Sequence, residues 1–308
     1  MRPSRPPGVI DTLSAGFTSI TRQLWILTLP VALDLAFWWG PRLSPLPVLN
    51  RSLSSLEIAP EFHTQISQVT ESMNLFHLLV AGVLGVPSLL TGQSPVPPLG
   101  PASVIEISDE AALVASVALL TLVGLFVGCL YLVPIAARIQ GKQVEMADLA
   151  RRIALTWTRG LVLTSLLLAA GLFIGFPLFL ALAGLGSASP AIGSLVTSFA
   201  FILVLWAWFY LFFTVDAILI SQVGPVHAFR RSFNLVRLNF LQALGFIALV
   251  TLIGLGLPFV WLAYVDNPWW LAAGIIGNAY VGAGLVSASL IFYRDRQATE
   301  TGSRETVT

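Results

Sequence analysis

The stretch HAFRRSFNLVRLNFLQ, residues 227–242, decides how this chain is read. It is basic, it carries large apolar side chains at helical spacing, and it runs straight into a long apolar segment. Arg230, Arg231 and Arg237 bar it from the interior of a bilayer, where an arginine costs about 2.5–3.5 kcal/mol on insertion scales. It reads as an amphipathic helix on a membrane surface, placed ahead of a spanning helix.

The rest of the chain supplies that membrane. Apolar residues make up 56% of the 308 and charged residues only 10%, against about 25% charged in a soluble domain. Six apolar runs approach or exceed the roughly 20 residues needed to cross a bilayer. They lie at about 24–40, 112–137, 161–184, 194–220, 240–264 and 270–293. Helices are expected, because each backbone N–H and C=O must be satisfied within its own segment, and the period-2 alternation of barrel strands is missing.

Short-loop charge sets an expected orientation. Fourteen of the 16 basic residues fall before run one, between runs two and three, between runs four and five, or after run six. Arg42 and Arg51 fall on the other side with seven of the 15 acids. The expectation is six spans in a plasma (inner) membrane with both termini cytoplasmic. Trp38, Trp39, Trp261, Trp269 and Trp270 collect at the outer ends of spans, as interfacial indoles do.

The opening stretch has two earlier relatives. DTLSAGFTSITRQLW (11–25) and DLARRIALTWTRGLV (148–162) align with HAFRRSFNLVRLNFL (227–241) at offsets of 137 and 79. Apolar positions coincide at Leu13, Ala150 and Phe229; Phe17, Ala154 and Phe233; Ile20, Trp157 and Val236; and Leu24, Leu161 and Phe240. That spacing is one face of a helix. Arg151–Arg152 match Arg230–Arg231. The expected fold is an all-α membrane bundle in a single domain, with three repeats of surface helix, elbow and two spans. The repeats fall at about 9–137, 146–220 and 226–293, followed by a disordered tail at 295–308.

The offsets differ because residues 41–110 form a long outer insertion holding nine of the 19 prolines. Outer links in the other repeats are short, 185–193 and 264–269. Within the insertion, Phe62, Ile66, Val69, Met73, Phe76 and Val80 predict one helix over 61–84. Its apolar end, 74–90, contains Gly85 and Pro87 and reads as an element lying on the outer face or dipping into the bundle. Long loops are usually functional or disordered, so 41–110 is the candidate for something particular to this chain.

Catalytic signatures are absent. There is no phosphate-binding glycine loop, no His-Glu-x-x-His, and no paired-carboxylate motif. His63, His77 and His227 are scattered, and the lone Cys129 sits inside an apolar run. No enzyme activity, metal or cofactor is expected. With a net charge of +1, no nucleic-acid partner is expected either. The intramembrane polar candidates are Asp34, Asp216, Gln242 and Asn278. Asp216 is expected to pair with Arg230, Arg231 or Arg237. Asp34 is expected either to accept hydrogen bonds from a neighbouring helix or to line a polar cavity. Arg151, Arg152, Arg159, Arg230, Arg231 and Arg237 are the candidate headgroup contacts. The small residues of GIIGNAYVGAGLVSAS (274–289) predict close helix packing. The partners implied are the lipid bilayer and a membrane protein. The leading reading is an accessory, scaffold or lipid-interacting protein, and its rival is a transporter component with a polar path near Asp34 and Asn278.

At VDAILISQVGPVHAFRRSFNLVRLNF (215–240) the sequence resembles the membrane domain of the glycerophosphodiester phosphodiesterase family and its uncharacterised multi-span relatives. Val215-Asp216, Ala228, Arg230-Arg231-Ser232-Phe233, Val236-Arg237 and Asn239-Phe240 carry the resemblance. It implies a membrane architecture and no reaction, since no soluble phosphodiesterase domain fits in this chain. The long insertion departs from the pattern.

Overall fold

The computed structural model describes residues 7–54, 73–93, 100, 103–141, 145–263 and 265–305. Helices dominate it. They are α1 (Val9–Thr21), α2 (Thr28–Trp39), α3 (Leu46–Ser54), α4 (Glu110–Ile139), α5 (Met146–Ala170), α6 (Phe176–Ala188), α7 (Pro190–Leu211), α8 (Thr214–Ser221), α9 (Pro225–Leu238), α10 (Phe240–Leu262) and α11 (Pro268–Glu305). Two short strands, β1 (Arg42–Ser44) and β2 (Val104–Glu106), pair in parallel with Leu43 opposite Ile105.

Among the described residues, five helical stretches are long and apolar enough to cross a bilayer. The first expected span differs. α1 and the 24–39 segment are bent by 89°, and they supply a sixth crossing only if counted together. α2 itself has 12 residues, about 18 Å at 1.5 Å per residue, short of a roughly 30 Å hydrocarbon core.

The elbow of the expected repeat is present at two of its three places. Gln23, at φ −146°, breaks the first. Asn239 ends α9, its Nδ2 donating back to the Leu235 carbonyl at 3.1 Å. The matching residue of the second copy, Gly160, stays helical, and α5 continues through a π-turn at Gly171–Gly175 into α6. No separate surface helix forms there, because nothing caps one.

The inward stripe of these helices coincides with the expected apolar line at Ile20, Trp157 and Val236 but lies one residue ahead of it at the two preceding positions. Thr12, Gly16 and Ile20 are buried, as are Ala228, Ser232 and Val236 at matching positions. Leu149, Ile153 and Trp157 are half-buried. The small residues of the stripe allow close approach: a Cβ on Gly16 would strike the backbone of Gly284 and Ala288. Phe233 is left 45% exposed.

Other expectations are corrected. The link expected at 185–193 is the single residue Ser189, since Pro190 starts α7 directly. The tail from 295 is helical as far as Glu305. Of the helix expected over 61–84, residues 61–72 lie outside the described residues. Leu75–Leu79 form a 3-10 turn, and 80–90 are irregular. Gly85 and Pro87 deny that segment a continuous helix.

The chain divides into two compact units. The first comprises residues to Thr12, Ala136–Val250 and Ser289 onward. The second comprises Leu13–Ile135 and Thr251–Ala288. In the second unit, small residues admit the irregular segment and its neighbours. A Cβ on Gly128 would strike the Leu84 carbonyl, and one on Gly124 the backbone of Leu78 and Leu79. One on Gly282 would strike Pro87, and one on Gly284 the Phe17 ring. In the first unit, Phe213, Phe246 and Phe292 stack, with centroids 5.1 Å apart for Phe213–Phe292 and 4.4 Å for Phe246–Phe292.

Candidate functional site

In the second unit, α2 places Asp34 inside an apolar cluster of Trp38, Leu89, Leu90, Leu271 and Ile275. The carboxylate is fully buried. Because residues 80–90 are not helical, their N–H groups lack helical acceptors and need others. Asp34 provides them. Leu89 N–H donates to Oδ2 at 2.9 Å, Leu90 N–H to Oδ1 at 3.2 Å, and Ser88 Oγ also to Oδ1. Among the described residues no cation pairs with Asp34. The donors come from an irregular segment and not from a neighbouring helix. Sequence reading missed Ser88–Leu90; the usable signal was Gly85 and Pro87 inside an apolar run.

A second anchor lies on the same segment. His77 is buried, and its Nδ1 accepts the Gly92 N–H at 3.1 Å. The Phe37 ring stands edge-on, 5.1 Å away. Burial pushes the imidazole below its ordinary pKa, and the nearby Arg42 charge adds to this. At the start of the segment, Asn74 Oδ1 accepts from the N–H groups of Phe76 and Leu43, each at 3.1 Å. Asn278, on α11, is also buried.

In the first unit, Asp216 on α8 is buried and takes its hydrogen bond from Ser289 Oγ. Among the described residues no salt bridge joins Asp216 to Arg230, Arg231 or Arg237; all three arginines are exposed, and Arg231 hydrogen-bonds the Tyr293 side chain instead. Ser289, Tyr293 and Gln297 recur every four residues along one face of α11. Ser221 joins the last two, with Oγ 2.9 Å from the Tyr293 hydroxyl and donating to Gln297 Oε1 at 3.0 Å.

Gln242 is exposed, but its Oε1 accepts from Arg296 at 3.1 Å. Arg296 is itself only 1% exposed, and its guanidinium lies 3.3 Å from the Phe292 ring centroid, a cation–π contact. It was missed because it lies beyond the apolar run. Arg151 is exposed. Arg152 reaches Gln140 Oε1 at 3.5 Å, and Arg159 donates to Gln222 Oε1 at 2.9 Å. Gln222 caps α8 at φ +52°, a conformation costing a non-glycine residue roughly 1–2 kcal/mol. Its side-chain bonds to Arg159 and the Leu219 carbonyl offset this.

Among the described residues, no cluster of three or more His, Cys, Asp or Glu could hold a metal ion. The one cysteine, Cys129, is free and buried. Long apolar helices with buried polar groups at their crossings define a polytopic helical membrane protein. The chain belongs to the family described as a domain of unknown function, DUF7847, which it matches over residues 58–293. No curated protein and no solved structure matches it. Nothing in these comparisons supports the narrower resemblance to the glycerophosphodiester phosphodiesterase family. The family match also takes in 58–110, so most of the expected insertion belongs to the shared domain.

Proposed function

We propose that this chain is a non-enzymatic accessory protein of the membrane that binds anionic lipid headgroups through its basic surface helix. The exposed face of α9 carries the reading. Pro225, Ala228, Ser232, Leu235 and Val236 are buried. Arg230, Arg231 and Arg237 are exposed beside Phe233 and Leu238, at 45% and 65%. Aromatic and aliphatic groups flanked by arginines suit the boundary between acyl chains and headgroups. Each such arginine near an anionic leaflet contributes about 1 kcal/mol. The finer topology belongs to the same proposal: six spans with the bent pair counted as one, three repeats, and cytoplasmic termini. The rival transporter reading needs Asp34 on a polar path. Instead its oxygens are engaged by residues 88–90 within an apolar cluster.

Thermal unfolding in detergent with added lipid tests the proposal. Phosphatidylglycerol should raise the unfolding midpoint more than phosphatidylcholine does. The triple variant R230Q/R231Q/R237Q should lose most of that difference. Equal effects of the two lipids on the wild-type protein would overturn it.

A further inference from the structure

We infer that residues 75–93 form an acid-released strap, closed by the bond from the Gly92 N–H to the unprotonated Nδ1 of His77. This inference is independent of lipid binding. At 3.1 Å the Gly92 N–H needs a lone pair on Nδ1. An imidazolium has two donors and no acceptor, so protonation sets N–H against N–H and breaks the closure. Gly92 sits at φ +76°, a conformation glycine enters without the Cβ clash. The bond therefore closes a turn shaped around it.

The surroundings make the closure sensitive to protons. α2 brings Phe37 edge-on to the ring and holds Asp34 one turn earlier, where its oxygens already bond residues 88–90. β1 brings Arg42, whose charge opposes a second cation. Arg51, at the end of α3, donates to the Ser108 carbonyl. α4 carries no acidic or basic residue between Glu110 and Arg138, and α11 none between Pro268 and Arg294. Among the described residues, Glu106 on β2 included, no carboxylate pairs with His77.

The sign of the pH effect follows. The closed state binds the proton more weakly than the open state, whose histidine titrates near its ordinary value of about 6.5. Closure is therefore fully favoured above that pH. It weakens about tenfold per unit as pH falls from there toward the lower value of the closed state. Opening drives the charged ring toward water and carries the 75–80 turn with it.

Cysteine accessibility reads this directly. In a C129A background, V80C probes a buried position and T91C an exposed one. The maleimide labelling rates of the two detergent-purified proteins are compared at about pH 7.5 and about pH 5. Their ratio cancels the common effect of pH on thiol ionisation. Acidification should raise the V80C rate relative to T91C, by up to about thirtyfold. With H77Q added, which keeps an acceptor and removes the titration, the ratio should stay constant. A ratio unchanged by acid in the H77 protein overturns the proposal, and so does an acid response that survives H77Q.

Discussion

Ser232 shows how a side chain of modest size holds a membrane helix in place. It lies in Arg230-Arg231-Ser232-Phe233, where the arginines attract attention, yet the serine makes the buried bonds. Its Oγ accepts the Phe213 N–H at 3.1 Å and donates to the Tyr210 carbonyl at 2.7 Å. Those groups flank the break between α7 and α8, where helical pairing lapses. Ser232→Ala would orphan both, at about 1–3 kcal/mol each for an unsatisfied buried group. The expected outcome is a thermal midpoint in detergent lowered by several degrees, with no change in helical circular dichroism below the transition. An unaltered midpoint would mean that water or a neighbouring group replaces the hydroxyl. Asp34 teaches a related lesson. The sequence marks it as an acid inside an apolar run, but its donors lie 54–56 residues away. Periodicity records the face a residue occupies; it does not record which distant loop arrives with unpaired N–H groups.

At the scale of elements, the long apolar helices were legible because span length and apolar composition are physical requirements of a bilayer. The elbows were less so. Gln23, Gly160 and Asn239 occupy one aligned position, and only the first and last interrupt the helix. The 75–90 segment was misread because Phe76 and Val80 keep a helical period while Gly85 and Pro87 prevent a continuous helix. What fixes that segment is written mainly on its neighbours, as glycines in α4 and α11. The contrast with Gly171 gives a test. Gly128→Ala sets a Cβ against the Leu84 carbonyl, whereas a Cβ on Gly171 meets nothing within 4 Å. G128A should lower the unfolding midpoint, since backbone must move to admit the methyl, at about 1–3 kcal/mol for overpacking. G171A should be neutral or stabilising by up to about 1 kcal/mol through helix propensity. If both substitutions behave alike, the close approach of Leu84 to α4 is not a structural constraint.

For the molecule as a whole, orientation is a matter of charge. The segment from Arg138 to Arg159 carries five basic residues, and the turn between α10 and α11 carries only the acid Asp266. A cytoplasmic excess of Lys and Arg near the ends of spans sets topology, whereas acids contribute little. Met146, at the start of α5, is 81% exposed. Asp266 is exposed next to Pro268, where α11 starts. An odd number of crossings separates the two positions if the α5–α6 stretch, α7–α8 and α10 each span once. With C129A as background, D266C should react with a membrane-impermeant maleimide on intact cells, and M146C should react only after permeabilisation. The reverse pattern would invert the protein and place α9 on the outer leaflet, where its arginines would meet few anionic lipids. Labelling of both sites on intact cells would be more damaging still, because it requires an even number of crossings between them. The exposed apolar hairpin of α6 and α7 would then have to lie along the surface, although Phe173, Phe179, Phe199 and Phe201 are each more than 60% exposed.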